Sequence, residues 1–157
     1  MSANKSIDDS VRDPFKRPFQ RIIVGLDASD QSKEIIRLVA YLAKTFNSSV
    51  IACNVTNMVT GVEGNEIDGY PVTKEERKSH DTMEEIIYKE FGDLAKQVKI
   101  KILHGDPAER IVEYAEFSNS DLIVVGSRGQ GALKRALLGS VSSTVAVNAK
   151  KPVLIVK

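Results

Sequence analysis

Residues 121–129 read Asp121-Leu122-Ile123-Val124-Val125-Gly126-Ser127-Arg128-Gly129. Four consecutive aliphatic residues without polar alternation describe a strand covered on both faces, because a strand with one wet face alternates apolar and polar residues at period two. Gly126 and Gly129 then permit a tight turn and let another group approach the main chain without interference from a Cβ. A doubly covered strand of this kind belongs in a parallel sheet flanked by helices.

Working outward, four further short runs rich in Ile and Val share this character: Arg21–Leu26, Val50–Val55, Val98–Leu103 and Pro152–Val156. Helical patterns separate them. Ser29 is expected to N-cap a helix in which Ile35, Leu38, Val39, Leu42 and Phe46 recur every three or four residues. Glu75–Lys96 repeats the pattern through Met83, Ile86, Ile87, Phe91 and Leu94. Asp106-Pro107-Ala108-Glu109 combines a capping Asp, a Pro at the first helical position and an acid three residues after the cap. A last helix begins near Ser140 and stops before Lys151-Pro152. The sum, β-α-β-α-β-α-β-α-β, predicts an α/β fold: an open five-stranded parallel sheet with helices on both faces and right-handed crossovers.

The 157 residues make one domain, at roughly 150 residues per domain. Residues 1–20 carry seven charges and two prolines and read as a flexible arm whose Phe15 and Phe19 are candidates for local docking, leaving 21–157 as the folded domain. Residues 56–73 form one long irregular connection, read either as a functional flap or as a mobile loop. Lys and Arg number 22 against 21 Asp and Glu, so net charge supplies no drive toward nucleic acid or an anionic membrane. No secretory signal or 18-residue apolar span is visible, and the single Cys53 lies inside an apolar run, so a cytoplasmic protein is expected.

In open parallel sheets a ligand binds beyond the carboxyl ends of the strands, where strand order reverses. The loops after the first and fourth strands are therefore the candidates. Asp27 ends the first; its alternative role is capping the first helix. After the fourth, Gly139-Ser140-Val141-Ser142 opens a helix whose unpaired amides and dipole favour an anion, with two hydroxyls as further donors. The segment reads as a phosphate cradle or, more plainly, as glycines that turn the chain and a Ser that caps a helix. It is neither a Walker A loop, which needs Lys-Ser or Lys-Thr after the glycine, nor the dinucleotide fingerprint, whose glycines follow the first strand.

The ordered set Gly126-x2-Gly129-x9-Gly139-Ser140, the strand ending in Asp27, the turn His104-Gly105-Asp106-Pro107 and the block before Lys151-Pro152-Val153 resemble the universal stress protein family over residues 21–157. The resemblance implies an adenine nucleotide alpha-hydrolase-like sheet of order 3-2-1-4-5 with ATP, ADP or AMP between the first and fourth strands. It implies Asp27 at the ribose, the main chain of Val55 at the adenine edge and Gly126 and Gly129 at ribose and phosphate. Gly139, Ser140, Val141 and Ser142 would hold the phosphates, with Mg or Mn carried by the phosphates. The retained glycines point to the ATP-binding branch. A homodimer through the last strand is implied as well, since Pro152–Val156 is an apolar sheet edge.

Arg128 is placed either on a phosphate or facing solvent or a second subunit, and Lys134 and Arg135 either steer polyphosphate or form a solvated turn. Asn54 stands where many members carry His, and a main-chain adenine contact leaves little consequence to that change. His80 and His104 have no partner at metal-ligand or triad spacing and read as surface or structural residues. A phosphoacceptor receiver domain is excluded, because the third strand ends in His104 and not in an acceptor Asp. No base or water-orienting side chain is evident, so binding is expected without an assigned turnover. Three readings follow: a nucleotide-dependent stress-response module, a slow ATPase switch, and an interaction dimer with a vestigial phosphate loop.

Overall fold

The computed structural model describes residues 18–57, 66–67, 69–128 and 138–157. In chain order the elements are β1 (Arg21–Gly25), α1 (Gln31–Phe46), β2 (Ser49–Thr56), β3 (Glu66–Ile67), β4 (Tyr70–Pro71), α2 (Lys74–Phe91), a 3-10 helix (Gly92–Gln97), β5 (Val98–His104), α3 (Pro107–Phe117), β6 (Leu122–Gly126), α4 (Ser140–Asn148) and β7 (Val153–Val156). The five long strands pair in parallel in the order β5-β2-β1-β6-β7, which is 3-2-1-4-5 by rank along the chain. Strand order reverses between β1 and β6.

Alternation along each strand sends neighbouring side chains to opposite faces. Ile22, Val24 and Val124 pack with Ile35, Ile36 and Val39 of α1 and Met83 and Ile87 of α2. Ile23, Ile51, Cys53, Ile123 and Val125 pack with Ile111 and Ala115 of α3 and Val145 of α4. This two-sided cover explains the uninterrupted apolar runs. Each such side chain removed from water contributes roughly 1.5–3 kcal/mol before chain entropy is charged against it. Burial likewise pushes the Cys53 thiol up to about 12, which leaves it a core residue and no nucleophile.

Several local expectations are corrected. Asp30, not Ser29, precedes the first helical residue of α1, and no side chain caps that helix at the Asp30 position. The helix expected over 75–96 stops at Phe91, because Gly92 has φ +58 and the chain continues as a 3-10 helix. The 56–73 connection contains a short antiparallel pair, Glu66↔Pro71 and Ile67↔Tyr70. Asp106 caps α3 as expected, accepting from the Glu109 amide at 3.0 Å. Of the N-terminal arm, Phe19 docks edge-on against Phe46 with ring centroids 5.3 Å apart, while Phe15 lies outside the described residues.

Candidate functional site

The carboxyl ends of β1 and β6 lie side by side, as the pairs Ile22↔Leu122 to Val24↔Val124 require. Asp27 leaves the first of these ends. Its Oδ1 accepts from the Ser29 amide at 3.0 Å and the Ser32 hydroxyl at 3.4 Å, so the carboxylate organises the turn into α1. Ala28 between them adopts φ +60, the left-handed region that an L side chain resists. These two bonds order the turn but are not the helix cap weighed for Asp27, because Ser29 precedes α1 and Ser32 is engaged through its hydroxyl and not through a first-turn amide.

Gly126 closes β6 opposite Val156 of β7. A Cβ there would stand 2.7 Å from Gln31 Oε1 and 3.0 Å from Ile35 Cδ1, so close approach of α1 already demands glycine at this position. Arg128 is exposed, and Gly129, Lys134 and Arg135 lie outside the described residues.

The chain returns at Gly139. Two hydrogen bonds, from Gly139 and Ser142 to the Ser127 carbonyl, tie the start of α4 to the end of β6, and two more brace that contact. The Gly139 amide donates to the Ser127 carbonyl at 2.6 Å, the Ser142 hydroxyl donates to the Gly139 carbonyl at 3.1 Å and to the Ser127 carbonyl at 3.4 Å, and Ser127 itself donates to the Val156 carbonyl at 2.6 Å. Ser142 is buried and its hydroxyl is engaged by main-chain acceptors, Val141 packs on the α3 side of the core, and Ser140 is exposed. Among the described residues no side chain caps α4, whose N-cap is Gly139, and its first turn carries no acid. The first amides of a helix have no intrahelical acceptor, so this end is free of its own counter-charge. Val55 lies two strands from β6 near the end of β2, beyond the last residue of β1, with its side chain against the α3-side core. The fold thus gathers Asp27, Gly126, Gly139 and Ser140–Ser142 around one strand junction, with Val55 at its flank.

A second polar cluster joins residues that lie far apart in the sequence. Glu76 is buried, and its Oε1 accepts from the Thr56 hydroxyl at 2.6 Å and meets His104 Nε2 at 2.8 Å. Its Oε2 accepts from the Thr73 amide at 2.8 Å, while Thr73 Oγ1 accepts from the Glu76 amide at 3.1 Å. Burial pushes the Glu76 carboxyl up, but bonds from Thr56, Thr73 and His104 outweigh it and hold the group below its usual 4.5. The spacing Thr73-x-x-Glu76 is a capping box that would have placed the α2 start. His104 is thereby a satisfied structural residue. His80, in contrast to expectation, has acidic neighbours: ligand atoms of His80, Asp81 and Glu84 lie within 4.8 Å of one another on α2, with both carboxylates exposed.

Among the described residues no helix is long and apolar enough to cross a membrane. Comparison with known proteins now adds to the geometry. The chain is 35% identical over 150 residues to universal stress protein MJ0531 of Methanocaldococcus jannaschii, covering 88% of this chain and 82% of that protein. It is 35% identical over 161 residues to the stress response protein NhaX of Bacillus subtilis, covering 87% and 97%. Among solved structures, a universal stress protein in complex with cAMP superposes with a TM-score of 0.61 at 27% identity, covering 88% of this chain and 97% of that one. UspA of Lactobacillus plantarum superposes with a TM-score of 0.72 at 22% identity, covering 88% and 98%, a likeness of fold. The family model described as universal stress protein family matches residues 18–157. With nearly the whole chain accounted for by that match and by relatives of this identity, the protein belongs to the universal stress protein family.

Proposed function

We propose that this universal stress protein binds an adenine nucleotide, ATP in the first instance, at the β1/β6 junction and acts as a nucleotide-dependent stress-response module. One observation carries the reading: the amino end of α4, with no capping side chain among the described residues and no acid in its first turn, is hydrogen-bonded onto the end of β6, next to the strand that leads into Asp27. Pre-attachment lowers the ordering cost of binding, since the amino end of α4 does not have to dock onto β6 around the ligand. The Ser140–Ser142 amides receive phosphate oxygens, and the Ser140 hydroxyl adds a donor. Ser142 acts from beneath, by holding the helix to Ser127. Asp27 faces the ribose and the Val55 main chain the adenine edge, with Gly126, Gly129 and Arg128 completing the ribose and phosphate contacts. The relative solved with cAMP supports an adenylate as the ligand class.

Mg or Mn, when present, shields the phosphate charge and rides on the phosphates, since the first turn of α4 offers no carboxylate to ligate it. The chain forms a homodimer through β7. That edge, Val-Leu-Ile-Val, is wholly apolar, whereas the opposite edge β5 carries Lys99 and Lys101, charges that discourage edge pairing.

Calorimetric titration with ATP and Mg tests the site, with ADP and AMP as competitors. Saturable heat in the wild type, reduced at least about tenfold in affinity by Gly139→Val and by Asp27→Ala, supports it. Absence of binding at millimolar ATP overturns it. Phosphate release by the wild type above the Gly139→Val control would favour the ATPase switch over a purely binding module.

A further inference from the structure

Along the α1/α2 face β2 presents Val50, Ala52 and then Asn54, where an aliphatic side chain would continue the core. Asn54 is 6% exposed. Its Nδ2 donates to the Leu26 carbonyl at 2.8 Å, while its buried Oδ1 has no hydrogen-bond partner among the described residues. A half-satisfied buried amide is a poor choice for stability, because the unmatched acceptor forfeits its hydration and receives nothing in return. The residue's contribution lies at Leu26. Ladder pairing of β1 with β2 ends at Gly25↔Cys53, yet the Leu26 amide donates to the Cys53 carbonyl at 2.8 Å and the Leu26 carbonyl accepts from Asn54. Both main-chain groups of Leu26 are thus tied to β2 immediately before Asp27 and the left-handed Ala28. A turn held in a sparsely populated conformation persists only where its surroundings over-determine it.

We propose that Asn54 is a positioning residue for the nucleotide site: its amide clamps Leu26 and so sets the direction in which Asp27 leaves the sheet. The functional part of this inference rests on the reading of Asp27 as a nucleotide contact; the clamp itself does not. Asn54 touches no ligand and acts through the main chain. The side chain that matters is therefore one that main-chain recognition at the neighbouring Val55 would leave unremarked.

Two measurements on the full chain test it. In the ligand-free protein, hydrogen exchange of the Ser29 amide, which Asp27 holds, should quicken about tenfold in Asn54→Leu while the Val24 amide inside β1 is unchanged. Asn54→Ala, which removes the same donor without adding bulk, is read alongside in case the Leu variant does not fold. Asn54→His returns an N–H donor at the same reach and should restore protection to within about threefold of wild type. Unchanged Ser29 exchange in the Leu and Ala variants overturns the clamp, as does an equal loss in the His variant. In ATP titrations, Asn54→Leu should weaken binding about tenfold in the wild-type background and leave affinity unchanged in the Asp27→Ala background. Equal losses in both backgrounds overturn action through Asp27. Failure of the wild type to bind ATP overturns the nucleotide reading alone, and the Ser29 exchange still decides the clamp.

Discussion

A methyl group at position 126 would enter space held by Gln31 and Ile35, at 2.7 Å and 3.0 Å. Gln31 is not free to yield, because its Nε2 donates to the Val156 carbonyl at 3.2 Å and its Oε1 is buried. Gly126→Ala should therefore destabilise the fold by about 1–3 kcal/mol, the usual range for an overpacked methyl, measured by urea unfolding. A change below about 0.5 kcal/mol would mean that α1 does not demand glycine at this position. At this scale the sequence was half informative. It marked position 126 as one where the main chain is approached closely, but not by what, since Gln31 lies 95 positions earlier and reaches Gly126 only because α1 packs across the β1/β6 junction.

At the scale of elements, α2 starts on a capping box that also forms part of a buried cluster, and the two roles meet in Glu76. The sign of its pH dependence follows from the direction of its shift. The Glu76 carboxyl lies below its ordinary 4.5 in the folded state, so the unfolded chain takes up a proton first. Its stabilising contribution is full above that ordinary value and is lost as pH falls through the lower folded one. Thermal midpoints should fall between about pH 5 and pH 3, and Glu76→Gln should flatten that slope while lowering the midpoint at pH 7. Identical slopes for the two proteins would remove Glu76 from the acid response. Helix faces were readable from apolar spacing, and the α3 start from Asp106-Pro107. The α2 terminus was misjudged, because Leu94 keeps the helical spacing past Gly92 while the backbone at Gly92 has already turned to φ +58.

For the whole molecule, the two sheet edges make opposite statements. Pro152 and Val156 offer their carbonyls to β6, so by alternation the Ile155 amide points to the bare edge. Ile155→Pro removes that outward donor without removing a β6 ladder bond, and sedimentation should then find a monomer where the wild type is a dimer, with circular dichroism unchanged. A wild type that sediments as a monomer at micromolar concentration would overturn the β7 pairing. Strands, helices and their alternation were determined by the sequence itself, because periodicity is a local property that each segment carries without reference to the rest. The reversal between β1 and β6 was reached through the general rule for open parallel sheets and through family resemblance, not through any local pattern. Tertiary structure alone decided which polar groups meet: Asn54 with Leu26, Glu76 with His104, Ser142 with Ser127. These partners are 28, 28 and 15 residues apart, and nothing in local propensity selects one distant acceptor over another until the packed sheet has brought it within 3.5 Å.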